Sequence, residues 1–245
     1  LLPDLFVTNF YGESTTYFHA IGSGVFGDET RAVGLAAPTR FLLGFGIALL
    51  DADNDGRLDL TIANGHVNDD RPDYPYDMPA LLMLGGKNGR LTDVSSKAGE
   101  PWAVPRVGRG LAVGDLDNDG RTDVLIVSQK SPLAYIHNES DGGHFVSFWL
   151  EGKESNRDAV GAVVTLKAGG RERRGWRLGG GSFLSASDPR IHFGLGNDPI
   201  DEVIVKWPAG RVDRFEKIGA DRHYRLREGD GKLRLLSQVG RPTEE

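Results

Sequence analysis

Aspartate recurs in this chain at a spacing that suits one chemistry, the capture of a hard divalent cation. Residues 51–59 (DADNDGRLD) and 115–123 (DLDNDGRTD) each carry Asp at positions 1, 3, 5 and 9 and Gly at position 6. Calcium takes roughly six to eight oxygen ligands at about 2.3–2.6 Å, and carboxylates at alternate positions of a curling loop can converge on one ion. The first site is expected to use Asp51, Asp53, Asp55 and Asp59 with the main-chain carbonyl of Arg57. The second is expected to use Asp115, Asp117, Asp119 and Asp123 with the carbonyl of Arg121. Gly56 and Gly120 permit the positive φ that turns the chain after the third carboxylate. Four such carboxylates repel one another unless a cation lies between them, so two Ca2+ sites are predicted. An EF-hand is excluded, because its position 12 needs a bidentate Glu, whereas Ile62 and Ile126 stand there. Magnesium is the weaker fit, since so many carboxylates crowd its small octahedron. No histidine accompanies either cluster in the sequence, so a structural ion is expected rather than a catalytic one.

The elements that hold these loops are read from composition and repetition. The chain has 245 residues, 39% hydrophobic and 26% charged, as in soluble globular proteins. That length allows one large or two ordinary domains. Its 34 glycines are about twice the usual share, which implies many turns and short strands. The longest apolar run, residues 41–50, is too short for a membrane span of about 18 residues. Cysteine is absent, which excludes disulfides, thiol nucleophiles and zinc–thiolate sites. The net charge of −6 equals the sum over the eight Asp and two Arg of the two loops. It argues against nucleic acid as a partner.

Residues 44–63 recur as residues 108–127 at an offset of 64. A weaker match pairs 24–30 with 89–95 at an offset of 65. Residues 4–9 (DLFVTN) match 59–64 (DLTIAN), so the sequence is expected to begin inside a third copy whose own loop lies upstream. Aliphatic runs at 47–50, 59–63, 80–84, 111–113 and 124–127, bounded by Gly, Asn and Asp, predict strands. Repeats of this length built from short strands suggest propeller blades. Beyond residue 138 the repeat fades, and runs at 145–150, 162–166, 201–207 and 224–227 predict further strands linked by 171–177 and 179–181. The expected fold is all-β: a partial β-propeller over 1–141, followed by a small antiparallel β domain over 142–245.

Four blocks in the C-terminal part carry a family resemblance: 156–162 (NRDAVGA), 181–190 (GSFLSASDPR), 192–196 (HFGLG) and 205–210 (VKWPAG). Together they resemble the ASPIC/UnbV domain. The Asp-rich loops resemble the FG-GAP (VCBS-type) repeats of integrin α-subunit propellers. The combination is similar to the cartilage acidic protein family and its bacterial relatives. The resemblance implies structural calcium loops, a propeller before the C-terminal domain, and a secreted or surface-associated protein. The earlier blades of that family, and the cysteine-rich epidermal-growth-factor-like module of some animal members, are missing from this sequence.

Other residues could contact a ligand. Residues 66–78 form a long insert in which His66, Asp73, Tyr74 and Tyr76 suit sugar or peptide contacts, although a proline-pinned solvated loop reads equally from the sequence. Arg171, Arg173, Arg174 and Arg177 with Trp176 suit a polyanionic glycan or the exposed face of a β-hairpin. Ser182, Ser185, Ser187, Asp188 and His192 supply the residue types of a hydrolase triad, but without the G-x-S-x-G elbow. Residues 138–140 (NES) form a glycosylation sequon. The expectation is a non-enzymatic, calcium-stabilised adhesion or interaction module. It would act outside the cell, in the periplasm or at the cell surface, on a protein or glycan partner. The alternatives are an accessory or catalytic protein of an enediyne-type pathway, which the domain's name implies, and a carbohydrate-binding protein.

Overall fold

A computed structural model describes residues 2–236, so the last nine residues of the expected C-terminal domain lie outside the described residues. Short aliphatic runs between Gly, Asn and Asp turns give strands in five sheets, with 45% of residues in strands and 5% in helices. Three sheets are blade-like meanders. The first contains β1 (Leu5–Val7), β2 (Thr16–Gly22) and β3 (Val25–Asp28) in chain order. The second contains β4 (Gly44–Leu50), β5 (Asp59–Asn64), β6 (Leu81–Gly85) and β7 (Leu91–Asp93). The third contains β8 (Val107–Gly114), β9 (Asp123–Gln129) and β10 (Ala134–Ile136). All their pairings are antiparallel.

The blades stack through the two faces of β5, whose six residues are all buried. Leu60 and Ile62 face a core shared with Leu35, Leu81 and Met83, against which Phe6 and Tyr17 of the first blade pack. Ala63 points the other way, into a core with Leu82, Trp102, Leu111, Val124 and Ile126. The period-2 alternation of a strand thus serves two interfaces at once. At Gly46 a Cβ would lie 2.6 Å from the Leu111 main-chain nitrogen, so β4 and β8 approach as closely as they do because that position has no side chain.

The C-terminal part adds β11 (His144–Glu151), β12 (Val163–Ala168), β13 (Arg171–Trp176), β14 (Ile191–Gly196), β15 (Ile200–Lys206), β16 (Val212–Phe215), β17 (Arg222–Arg227) and β18 (Leu233–Leu235). They form two four-stranded sheets, ordered β14-β11-β17-β18 and β13-β12-β15-β16. Val146, Phe148, Leu150 and Leu195 of one sheet meet Val164, Leu166, Val203 and Val205 of the other in a single core. One detail departs from the antiparallel expectation: β11 and β17 pair in parallel. The chain alternates between the sheets, placing β14 beside β11 between the two halves of the second sheet, and returns at β17 in the direction in which it left along β11. Residues 171–177 are not a link either. Most of them form β13, at the edge of its sheet, where charged side chains reach water.

Candidate metal centre at the junction of blades and C-terminal domain

Both Asp-rich segments are hairpin connections: residues 51–59 join β4 to β5, and residues 115–123 join β8 to β9. They fold identically. Asp51 accepts from the N–H groups of Asp55 at 3.0 Å and Gly56 at 2.8 Å, as Asp115 does from Asp119 at 3.0 Å and Gly120 at 2.9 Å. Asp59 accepts from Ala52 and Gly85, and Asp123 from Leu116 and Asn138. Gly56 and Gly120 take φ of +83° and +88°, as the turn requires. The Arg57 side chain pairs with Asp55 and donates to the Gly85 carbonyl, and Arg121 repeats this with Asp119 and the Asn138 carbonyl.

The donor chemistry fits a hard cation in the first loop. Carboxylate oxygens of Asp51, Asp53 and Asp59 lie within 4.8 Å of one another. Burial pushes Asp51 up to about 7, with the Asp59 charge adding to it. Burial also pushes Asp59 up to about 6, against the Gly85 and Ala52 N–H groups. Three acids drawn together, Asp51 and Asp59 of them buried, want positive charge between them. In the second loop burial raises Asp115 to about 6, and the converging group is Asp117, Asp119 and His137. The histidine was not expected from sequence. His137 Nε2 lies 3.2 Å from Asp117, because β10 pairs with the strand that leaves the loop. It stands where the first loop has Leu84, so the two sites are unequal. Should calcium bind, Asp51, Asp53 and Asp59 would hold it in the first loop, and the ion would supply the charge that cancels their repulsion.

The loops are also the floor on which the C-terminal domain rests. Asn54 and Asn118, at position 4, take the left-handed conformation with φ of 53° and 62° and turn away from the carboxylates. His192 Nε2 donates to Asn54 Oδ1 at 2.8 Å, and Arg190 donates to Asn118 Oδ1 at 2.6 Å and to the Asp115 carbonyl. Gly143 and Gly196 N–H groups donate to the carbonyls of Asp53 at 2.9 Å and Asn54 at 2.6 Å. A Cβ on Gly194 would fall on the Asp51 carboxylate and 2.5 Å from Asn54 Cα, and one on Gly120 would enter the Phe145 ring. Phe145 stacks on His192 with centroids 5.4 Å apart and tilts against His223 at 5.1 Å. His223 is buried with Nε2 3.3 Å from Asp115 Oδ2. Burial holds both imidazoles down near 4, His192 helped by the nearby His223 and Arg190, and His223 by Arg190.

These contacts account for the triad-type residues. Ser182 Oγ accepts from Ile47 N–H at 3.1 Å and Ser187 Oγ from Val113 N–H at 3.2 Å. Ser185 Oγ donates to the Phe183 carbonyl, Asp188 pairs with Arg190, and His192 holds Asn54. A cleft of about 630 Å³ does open beside them, lined by Leu49, Asp51, Asp115, Trp176, Asp188 and His192. The Asp188 carboxylate is engaged by Arg190 and the His192 ring by Asn54, and the two do not pair with each other.

The insert residues part company. His66 and Tyr76 are buried, whereas Asp73 and Tyr74 are exposed. His66 Nδ1 is 2.9 Å from the Asn68 carbonyl, and the ring lies parallel to Tyr74 at 5.9 Å. Phe10, Tyr11 and Phe41 close around them, at the end of β4 and β5 remote from the Asp-rich loop. Among the arginines, Arg173 donates to the Gly194 carbonyl and to Asp198, and its guanidinium abuts Gly56. Arg171 pairs with Asp198 and Arg174 with Glu172. Asn138 of the sequon spends its amide on the Ala52 carbonyl at 2.8 Å and the Thr122 carbonyl at 3.1 Å.

Fold and site define an all-β protein in which blades with acidic hairpin loops carry a two-sheet C-terminal domain. Residues 152–233 match the family model described as ASPIC and UnbV, so the chain carries a domain of that family. Cartilage acidic protein 1 of Mus musculus is 26% identical to it over 85% of this chain and 40% of that protein. The Homo sapiens protein is 27% identical over 85% of this chain and 39% of its own length. The Xenopus tropicalis protein is 30% identical over 43% of this chain and 17% of its own length. The chain therefore spans about 40% of the length of the mouse and human relatives it matches. No helix among the described residues is long and apolar enough to cross a membrane.

Proposed function

We propose that this chain is a calcium-stabilised, non-enzymatic adhesion or interaction module that works outside the cytoplasm. The observation that carries the reading is the convergence of Asp51, Asp53 and Asp59, two of them buried, in a loop that also bears the C-terminal domain. A cation there clamps the turn, and its binding energy becomes folding energy. Extracellular, periplasmic or cell-surface placement agrees with likeness to proteins named for cartilage, and millimolar calcium there keeps even weak sites filled. The test is a calorimetric calcium titration of chelator-stripped protein with magnesium as control and thermal melts alongside. Two ions bound with a rise of many degrees support the reading. No heat and no change in melting overturn it.

A second reading, carbohydrate binding, draws on the exposed aromatics Phe10, Phe41 and Tyr74 at the end of the blades away from the loops. Aromatic faces suit sugar rings, and Asp69, Asp70 and Asp73 beside them supply acceptors. A glycan array with hits abolished by Tyr74→Ala supports it, and an array without hits removes it.

A further inference from the structure

We propose that the C-terminal domain reads the cation state of the Asp-rich loops through the fourth residue of each, so that an emptied loop lets the domain go. This rests on the calcium reading of the loops. Each Asn sits between two candidate ligands, Asp53 and Asp55 or Asp117 and Asp119. With its backbone left-handed, each Asn holds its side chain out to the C-terminal domain, while Asp53 in the first loop and Asp117 and Asp119 in the second join the converging groups. Whatever draws the carboxylates together therefore fixes where the amide points.

The receiving surface is shaped for that amide. In the first loop the contact is largely main chain: Gly143 and Gly196 N–H groups meet the Asp53 and Asn54 carbonyls, and His192 meets the side chain. Gly142, Gly143 and Gly194 leave the loop no slack, since a Cβ at Gly142 or Gly143 would stand 2.7 Å from the Asp53 or Asn54 carbonyl oxygen. In the second loop Arg190, pinned by Asp188, reaches both the Asn118 amide and the Asp115 carbonyl. The loops also hold each other, because Asn54 Nδ2 donates to the Gly120 carbonyl at 2.9 Å and Asn138 Nδ2 to the Ala52 carbonyl. Two blocks of the domain, 188–190 and 192–196, thus have a receptor's role, one per loop.

Removing the cation leaves the converging acids, Asp51, Asp53 and Asp59 in the first loop and Asp117 and Asp119 in the second, to repel, and the loop relaxes by opening. The carbonyls of Asp53 and Asn54 then move away from Gly143 and Gly196. The core of the domain, formed by its own two sheets, has no part in this and stays closed.

Hydrogen exchange by mass spectrometry on the full chain, in calcium and in chelator, tests the idea, with the calorimetric titration run on the same samples. Chelation is expected to raise exchange at least tenfold in peptides covering 142–146 and 188–196 while β12 and β15 keep their protection. Asn54→Ala with Asn118→Ala should bind the same number of ions and, keeping only the main-chain contacts, exchange in calcium at a rate between those of the calcium-loaded and chelated wild type. His192→Ala, which touches neither loop's carboxylates, should loosen 142–146 and 192–196 alone and serves if the double variant does not fold. Calcium binding with unchanged exchange on chelation overturns the latch and leaves the calcium reading intact. Absence of calcium binding overturns both.

Discussion

Replacing Asp51 by Asn should raise stability without cation and leave it little changed with cation. The side chain is 6% exposed, and burial first, then the Asp59 charge, push its carboxyl from the usual 3.8 up to about 7. A carboxyl raised in the folded state does no harm below its unfolded value and its full harm above the folded one. The cation-free chain therefore loses stability as pH climbs from about 4 to about 7, and at pH 8 the charged group costs about 4 kcal/mol. Asn removes that cost. Its single oxygen can serve only one of the Asp55 and Gly56 N–H groups that the carboxylate serves, which returns about 1–2 kcal/mol. In chelator at pH 8 the variant should thus gain about 2–3 kcal/mol. In calcium it loses a ligand and with it up to about 2.7 kcal/mol of stabilisation at an ion concentration a hundred times Kd, so the gain and the loss nearly cancel. Urea unfolding of both proteins in both buffers measures the four values. An equal loss in calcium and in chelator would refute the reasoning, because it would mean that the carboxylate works through its hydrogen bonds alone.

Gly194→Ala should cost about 1–3 kcal/mol by driving a methyl into Asp51 and Asn54. Gly180→Ala, with nothing within 4 Å, is the control in the same melts. Glu228 is buried, which raises its carboxyl, but the Ser155 and Lys153 N–H groups and the Ser155 hydroxyl outweigh this and hold it below the usual 4.5. Its contribution is present above that value and is lost as pH falls through the lowered one, so Glu228→Gln should flatten the acid limb of a urea-midpoint against pH curve. Expressed through a eukaryotic secretory pathway, the folded chain should leave Asn138 unglycosylated, since the amide is held by two carbonyls; an intact-mass measurement decides.

The blades and their loops were legible because they are local. Strand, turn and ligand spacing lie within twenty residues, and two copies confirmed each other. The docking role was illegible because its contacts join residues far apart, with His192 and Asn54 separated by 138 positions. One signal was present and unread: Asn recurs at position 4 of both loops, where a bound cation would need nothing. Arg171, Arg173 and Arg174 looked like a link because their charge conceals a strand, which an edge position tolerates. His137 was missed because only the β9–β10 pairing brings it beside Asp117.

The bare main chain at Gly142, Gly143, Gly194 and Gly196 sets how this architecture can be inherited. A surface fitted to a loop's backbone accepts any loop of that shape and almost no other. Recombination could exchange the ligand-facing inserts of the blades without disturbing it. A crossover between the last blade and β11 would instead join the C-terminal domain to a stranger, stranding His192, Arg190 and His223 with no loop to hold. Blades and domain are therefore expected to travel through genomes as one block, with the unit of inheritance extending back at least to residue 51.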